Sequence, residues 1–114
     1  MKKLLNIIMA LGAIGLTATP ANASNSNYGT VSGLFAGGNG AVMFFSDGVR
    51  TAPPACGAPN GNRWAIDAST VAGQGAIAIL LNAYNRGKKV YVMGTGSCSI
   101  WGDTETIMFI YVQD

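Results

Sequence analysis

The sequence predicts a mainly β domain with one helix, folded as a small five-stranded barrel in the order β-β-β-α-β-β. Three observations carry that prediction. Short runs rich in Val, Phe, Ile and Tyr recur between turns that hold Gly, Pro and Asn. A single segment, Ser69 to Arg86, switches to the helical period. The 114 residues are 49% hydrophobic and only 11% charged, with two cysteines and no histidine, a composition that suits one small core and one covalent staple.

The chain opens with a leader. Met1-Lys2-Lys3 is basic, Leu4 to Leu16 is apolar, and Pro20 precedes the small-residue site Ala21-Asn22-Ala23. That order is a secretory signal peptide, too short and wrongly flanked for a stable span. Residues 1–23 are therefore the leader and residues 24–114 one domain, exported to the periplasm or the medium. Removing the leader takes away Lys2 and Lys3, and five basic residues then balance five acidic ones. A neutral chain has no basic footprint for nucleic acid and no polybasic anchor for a membrane. No second apolar run reaches spanning length.

Each element follows in turn. Tyr28 to Phe35 is the first strand, the Ala36-Gly37-Gly38-Asn39-Gly40 turn follows, and Ala41 to Ser46 returns as its hairpin partner. A phosphate loop is the competing reading of those glycines, but no Lys-Ser/Thr follows and no helix opens there. Asp47-Gly48 makes a further turn, and Val49 to Asn62 is dense in turn residues and reads as loop. Arg63 to Asp67 is a short third strand. In the helix, Ile77, Leu80, Leu81 and Tyr84 form a core-facing stripe, Ser69 or Asp67 caps the start, and Gly87 closes the end. Lys89 to Met93 is the fourth strand. Glu105 to Val112 is the fifth, with Ile107, Phe109 and Tyr111 on one side and Met108, Ile110 and Val112 on the other. A strand apolar on both faces is covered on both.

This order, in about 90 residues, suits a partly open barrel of the OB type. The segment Trp64 … Ser69 … Leu81 … Tyr84-Asn85-Arg86-Gly87-Lys88-Lys89-Val90-Tyr91-Val92 resembles the central segment of the B subunits of pertussis-like and subtilase-type bacterial toxins. In them a tryptophan precedes a helix that ends near an aromatic and a glycine, and a Val-x-Val-like strand follows. The Trp64-to-Gly87 interval is longer here by more than a helical turn. The resemblance implies a secreted subunit that assembles as a ring, often a pentamer, and binds host glycans. It also implies a sugar contact at the Ser32-Gly33 step of the first strand. It says nothing of an accompanying enzymatic subunit.

Candidate chemistry is sparse. Cys56 and Cys98 are the only cysteines of an exported chain and pair as a disulfide. Without histidine there is no zinc constellation and no Ser-His or Cys-His nucleophile. No catalytic residue, metal or cofactor is implied. Trp101, Asp103 and Thr104, followed by Glu105 and tethered by Cys98, offer an aromatic face and polar groups for a sugar. The competing reading packs Trp101 over the disulfide or barrel end. Read as a glycosidase pair, Asp103 and Glu105 would point to the same side, with no groove between them. Asp67 reads as a helix cap rather than a catalyst.

The helix has a second face, Ala72, Ala76, Ile79 and Ala83, and no charged residue from Ser69 to Asn85. Together with Met108, Ile110 and Val112 it reads as a subunit contact. The alternatives are a helix buried more deeply in its own domain and a tolerated alanine-rich surface. The sequence thus predicts a non-catalytic binding module, a ring homo-oligomer that takes a neutral or anionic glycan through the Trp101 loop or Ser32. Its rival is an exported structural or inhibitory protein without a sugar site.

Overall fold

The computed structural model describes residues 24–114, so the expected leader lies outside the described residues. The domain is mainly β with one helix. Its strands are β1 (Asn25–Gly29), β2 (Val31–Ala36), β3 (Ala41–Ser46), β4 (Arg50–Thr51), β5 (Arg63–Asp67), β6 (Val90–Gly94) and β7 (Glu105–Val112). The helix α1 (Val71–Arg86) lies between β5 and β6. There are seven strands, not the five predicted, in one sheet of order β2-β3-β5-β7-β6-β1-β4, and it does not close into a barrel. The β5–β7 pairing is parallel and every other is antiparallel.

The count rises for two local reasons. The expected first strand breaks at Thr30, whose N–H donates to Asp47 Oδ1 (2.7 Å) and whose carbonyl accepts from the Asp47 N–H (3.3 Å). Both backbone groups are thereby taken by the Asp47-Gly48 turn instead of a ladder. Gly29 and Gly48 make that approach feasible, since a Cβ on Gly29 would meet the Gly48 backbone and one on Gly48 would meet Asn27. The second addition, β4, is two residues of the expected loop that pair with Asn25 and Ser26. Because one residue joins β1 to β2, the sheet must coil to bring its opposite ends together.

The main core gathers Phe44, Trp64, Ile66, Leu80, Val90, Val92, Ile107 and Ile110. The helix lies on it along Gly73, Leu80 and Ala83, with Ala76 and Ile77 partly buried. That line is rotated from the predicted stripe, for Leu81 and Tyr84 are 44% and 48% exposed. Small residues set the rotation by letting the helix backbone come close. A Cβ on Gly73 would fall on the Asp67 carbonyl. Ala83, expected at a subunit contact, therefore belongs to the chain's own core. The cap is also shifted: Thr70 Oγ1 accepts from the Gly73 N–H (2.9 Å), while Asp67 accepts from the Ser69 hydroxyl and N–H. Gly87 ends the helix at φ +64° as expected, and the Lys88 N–H returns to the Ala83 carbonyl.

Strand β7 departs from simple alternation. Phe109 pairs with Met93, but Ile107 pairs with Gly94, so β7 carries one extra residue there. Ile107 and Ile110 both turn inward at 9% and 8% exposure, while Met108 and Phe109 both turn outward at 60% and 44%. Ile110 is thereby buried in the core, whereas Met108, predicted to share its face, is exposed. A smaller cluster of Ala41, Met43 and Ala65 occupies the other side of β3 and β5. The predicted Cys56–Cys98 disulfide is present, its Cα atoms 6.3 Å apart, joining the loop before β5 to the loop after β6.

Candidate functional site

The loop expected to hold a sugar is structural for most of its length. Trp101 packs with Ile100 on Ala41, Met43 and Ala65, and its ring leaves no room for a side chain at Gly37. Thr104 is fully buried and accepts from Arg63 Nε (2.7 Å), while Asp103 pairs with Arg63 Nη2 (2.6 Å). Ser32 is exposed on β2, opposite Phe45. It sits near the start of β2, whereas Trp101 packs at Gly37 just past the strand's end, with four residues between them. The two sugar-site candidates thus lie apart.

Asp103 and Glu105 do not share a side. Glu105 is fully buried, pairs with Arg50 Nη2, and accepts from the Ser24 hydroxyl and from the Gly96 N–H (2.7 Å). The Arg50 guanidinium also donates to Ser24 Oγ and the Gly61 carbonyl. Burial pushes its pKa below the ordinary value, opposed by the hydrogen bond to Glu105 and by the charge of that carboxylate. Every group in this set is already engaged. It is a clasp between segments, with no arrangement for binding or transferring a proton to a ligand.

An aromatic face stands elsewhere. Tyr28 on β1, Tyr91 on β6, and Phe109 and Tyr111 on β7 line a shallow depression of about 360 Å³ with Asn27. Tyr91 and Tyr111 are directly opposite in the β6–β7 ladder. The Tyr28 ring is 5.9 Å from that of Tyr91 and 6.3 Å from that of Tyr111, steeply tilted to both. The Tyr91 and Phe109 rings are 6.4 Å apart and within 24° of parallel. No charged side chain lines the depression. Asn27 Oδ1 accepts from the Tyr28 N–H (2.9 Å). This face was missed from sequence, although a signal was there. In Val90-Tyr91-Val92 and Phe109-Ile110-Tyr111 the aliphatic residues take inward positions and the aromatic ones alternate outward.

Five of the expected subunit-contact residues do meet. Ala72, Ala76 and Ile79 of α1 and Met108 of β7 line a groove of about 290 Å³ with Gly75 and Phe109, and Ile110 forms part of its wall. The groove has no charged lining. Val112 falls instead in a neighbouring groove with Arg86, Lys88 and Asp114. Among the described residues no helix is long and apolar enough to cross a membrane, and no three His, Cys, Asp or Glu side chains gather as a metal site. No family model, curated protein or solved structure matches this chain.

Proposed function

We propose that the chain is an exported, non-catalytic binding module of OB connectivity that takes up a glycan on the outer face of β1, β6 and β7. The observation that carries this reading is the uncharged, four-ring aromatic face with neighbouring amide and phenol groups. Aromatic faces cover the apolar side of a pyranose, and the polar groups meet its hydroxyls. The connectivity supports the OB reading. With β1 and β2 counted as halves of one bent strand and the two-residue β4 at the edge set aside, the order becomes 1-2-3-5-4-1, with the helix between the third and fourth strands. That connectivity is also what the likeness to toxin B subunits implies. The disulfide suits an oxidising compartment.

A second reading concerns assembly. The uncharged α1–β7 groove favours contact between copies of the chain, and a ring would cover it on every subunit. Repeated weak sugar sites in such a ring gain avidity without a strong single site.

A glycan array on cleaved, oxidised protein tests the first reading, with light scattering at micromolar concentration for the second. Tyr91→Ala is expected to abolish array binding by the folded protein, while Ser32→Ala and Trp101→Ala leave affinity intact. Absence of binding to any glycan sinks the sugar reading in favour of a structural or inhibitory role. A monomer sinks the ring.

A further inference from the structure

We infer that the ligand of the aromatic face is a neutral oligosaccharide of at least two sugar units, and that anionic sugars are excluded from it. This rests on the glycan reading above and narrows it. Its first support is electrostatic. The lining residues Asn27, Tyr28, Tyr91, Phe109 and Tyr111 include no cation. An aromatic ring presents a negative face, so a carboxylate stacked there is repelled while it also loses water. Arg86 and Lys88 line a different groove, which they share with Asp114. Tyr111 borders both spaces, so those cations flank the platform without forming any of its bed.

The second support is the arrangement of the rings. Tyr91 is a diagonal neighbour of Phe109 across the β6–β7 ladder, since Met93 is the residue opposite Phe109. Their near-parallel planes and 6.4 Å separation make a two-ring bed. One pyranose covers one such ring, so occupying both takes two linked sugars. Tyr28 and Tyr111, steeply inclined to one another, bound the Tyr91 side of the bed. Their phenols and the Asn27 amide can donate to sugar hydroxyls. Neutral phenols also accept, which matches a ligand whose hydroxyls do both.

Calorimetric titration of the wild type with matched sugars tests this. Cellobiose, lactose and chitobiose are compared with glucose, galactose and N-acetylglucosamine, and sialyllactose with lactose. At least one disaccharide is expected to bind tenfold or more tightly than its monosaccharide, and sialyllactose at least fivefold more weakly than lactose where lactose binds. Tyr91→Ala and Tyr28→Ser should each reduce the disaccharide affinity at least tenfold. Chemical-shift mapping on the wild type locates the site if either variant fails to fold. Tighter binding of sialyllactose with shifts at Tyr91 overturns the inference and leaves the glycan reading standing. Equal affinity for mono- and disaccharides overturns the two-unit claim. Shifts elsewhere overturn the site. No binding to these sugars or to a broad array overturns the glycan reading itself, whether or not a protein is found to dock on the same face.

Discussion

The guanidinium carbon of Arg50 lies over the Trp64 indole, 3.7 Å from the ring centroid, while its Nη2 pairs with the buried carboxylate of Glu105. Arg50 belongs to the two-residue β4, Trp64 to β5 and Glu105 to the first position of β7. Ser24, just before β1, joins the same set through its hydroxyl. One side chain thus ties together segments from Ser24 to Glu105, and it anchors the shortest strand of the sheet alongside that strand's pairing with β1.

Removing either charge leaves the other buried and unpaired. Glu105→Gln and Arg50→Met are each expected to cost about 3–5 kcal/mol in urea unfolding. The double variant Arg50→Met/Glu105→Leu should lose clearly less than the sum of the single changes. Single losses under about 1 kcal/mol would show that the clasp is solvated rather than buried.

Two glycines should respond in opposite directions. A Cβ at Gly94 would fall on the Glu105 carboxylate and lie 2.8 Å from the Trp64 ring, so Gly94→Ala should forfeit soluble folded protein or lower the Tm sharply. Gly75 in α1 has nothing within 4 Å of its added Cβ, and Gly75→Ala should gain about 0.5–1 kcal/mol of stability. Thermal scans of both variants check the pair.

Reduction of Cys56–Cys98 opens a link between residues 42 apart in sequence. The chain-entropy relation gives a loss of about 4 kcal/mol for that separation. Urea unfolding with and without reductant measures it, and thiol labelling of denatured, unreduced protein should find no free cysteine.

Asp67 predicts an acid limb. The hydroxyl and N–H of Ser69 stabilise its carboxylate and hold its pKa below the ordinary aspartate value of about 4. Its contribution to stability is fully present above the unfolded pKa. It is lost as pH falls through the lowered folded value. The Tm advantage of wild type over Asp67→Asn should therefore shrink below about pH 4 and remain level between pH 5 and 8.

The residues that could be read directly were those whose local signal agreed with their surroundings. The β3, β5 and β7 boundaries, the αL position of Gly87 and the Cys56–Cys98 bond all follow from turn chemistry, period and composition. What could not be read was set by distant partners. Thr30 breaks the first strand because Asp47 takes its backbone groups, and nothing within Tyr28 to Phe35 announces that. Nothing beside Glu105 announces that it is buried, because its partner Arg50 comes from 55 residues away. The helix stripe was misplaced because Leu81 and Tyr84 scored as apolar, whereas the close approach belongs to Gly73 and Ala83. Trp101 stands out in sequence as an aromatic beside acids, whereas the four-ring face of Tyr28, Tyr91, Phe109 and Tyr111 is assembled from three strands, a set no local window contains.

The extra residue in β7 has a thermodynamic consequence. By turning Met108 and Phe109 outward together, it makes Phe109 a wall of both the aromatic depression and the α1–β7 groove. Were the proposed sugar face and the proposed subunit contact both occupied, this shared side chain would link them heterotropically, each altering the other's equilibrium by the same factor. The apparent sugar affinity should then drift with protein concentration across the association range. Phe109→Leu should flatten that drift, even if assembly itself survives. A binding constant that stays fixed over a hundredfold dilution through the association midpoint would show that the two surfaces, though contiguous, do not communicate.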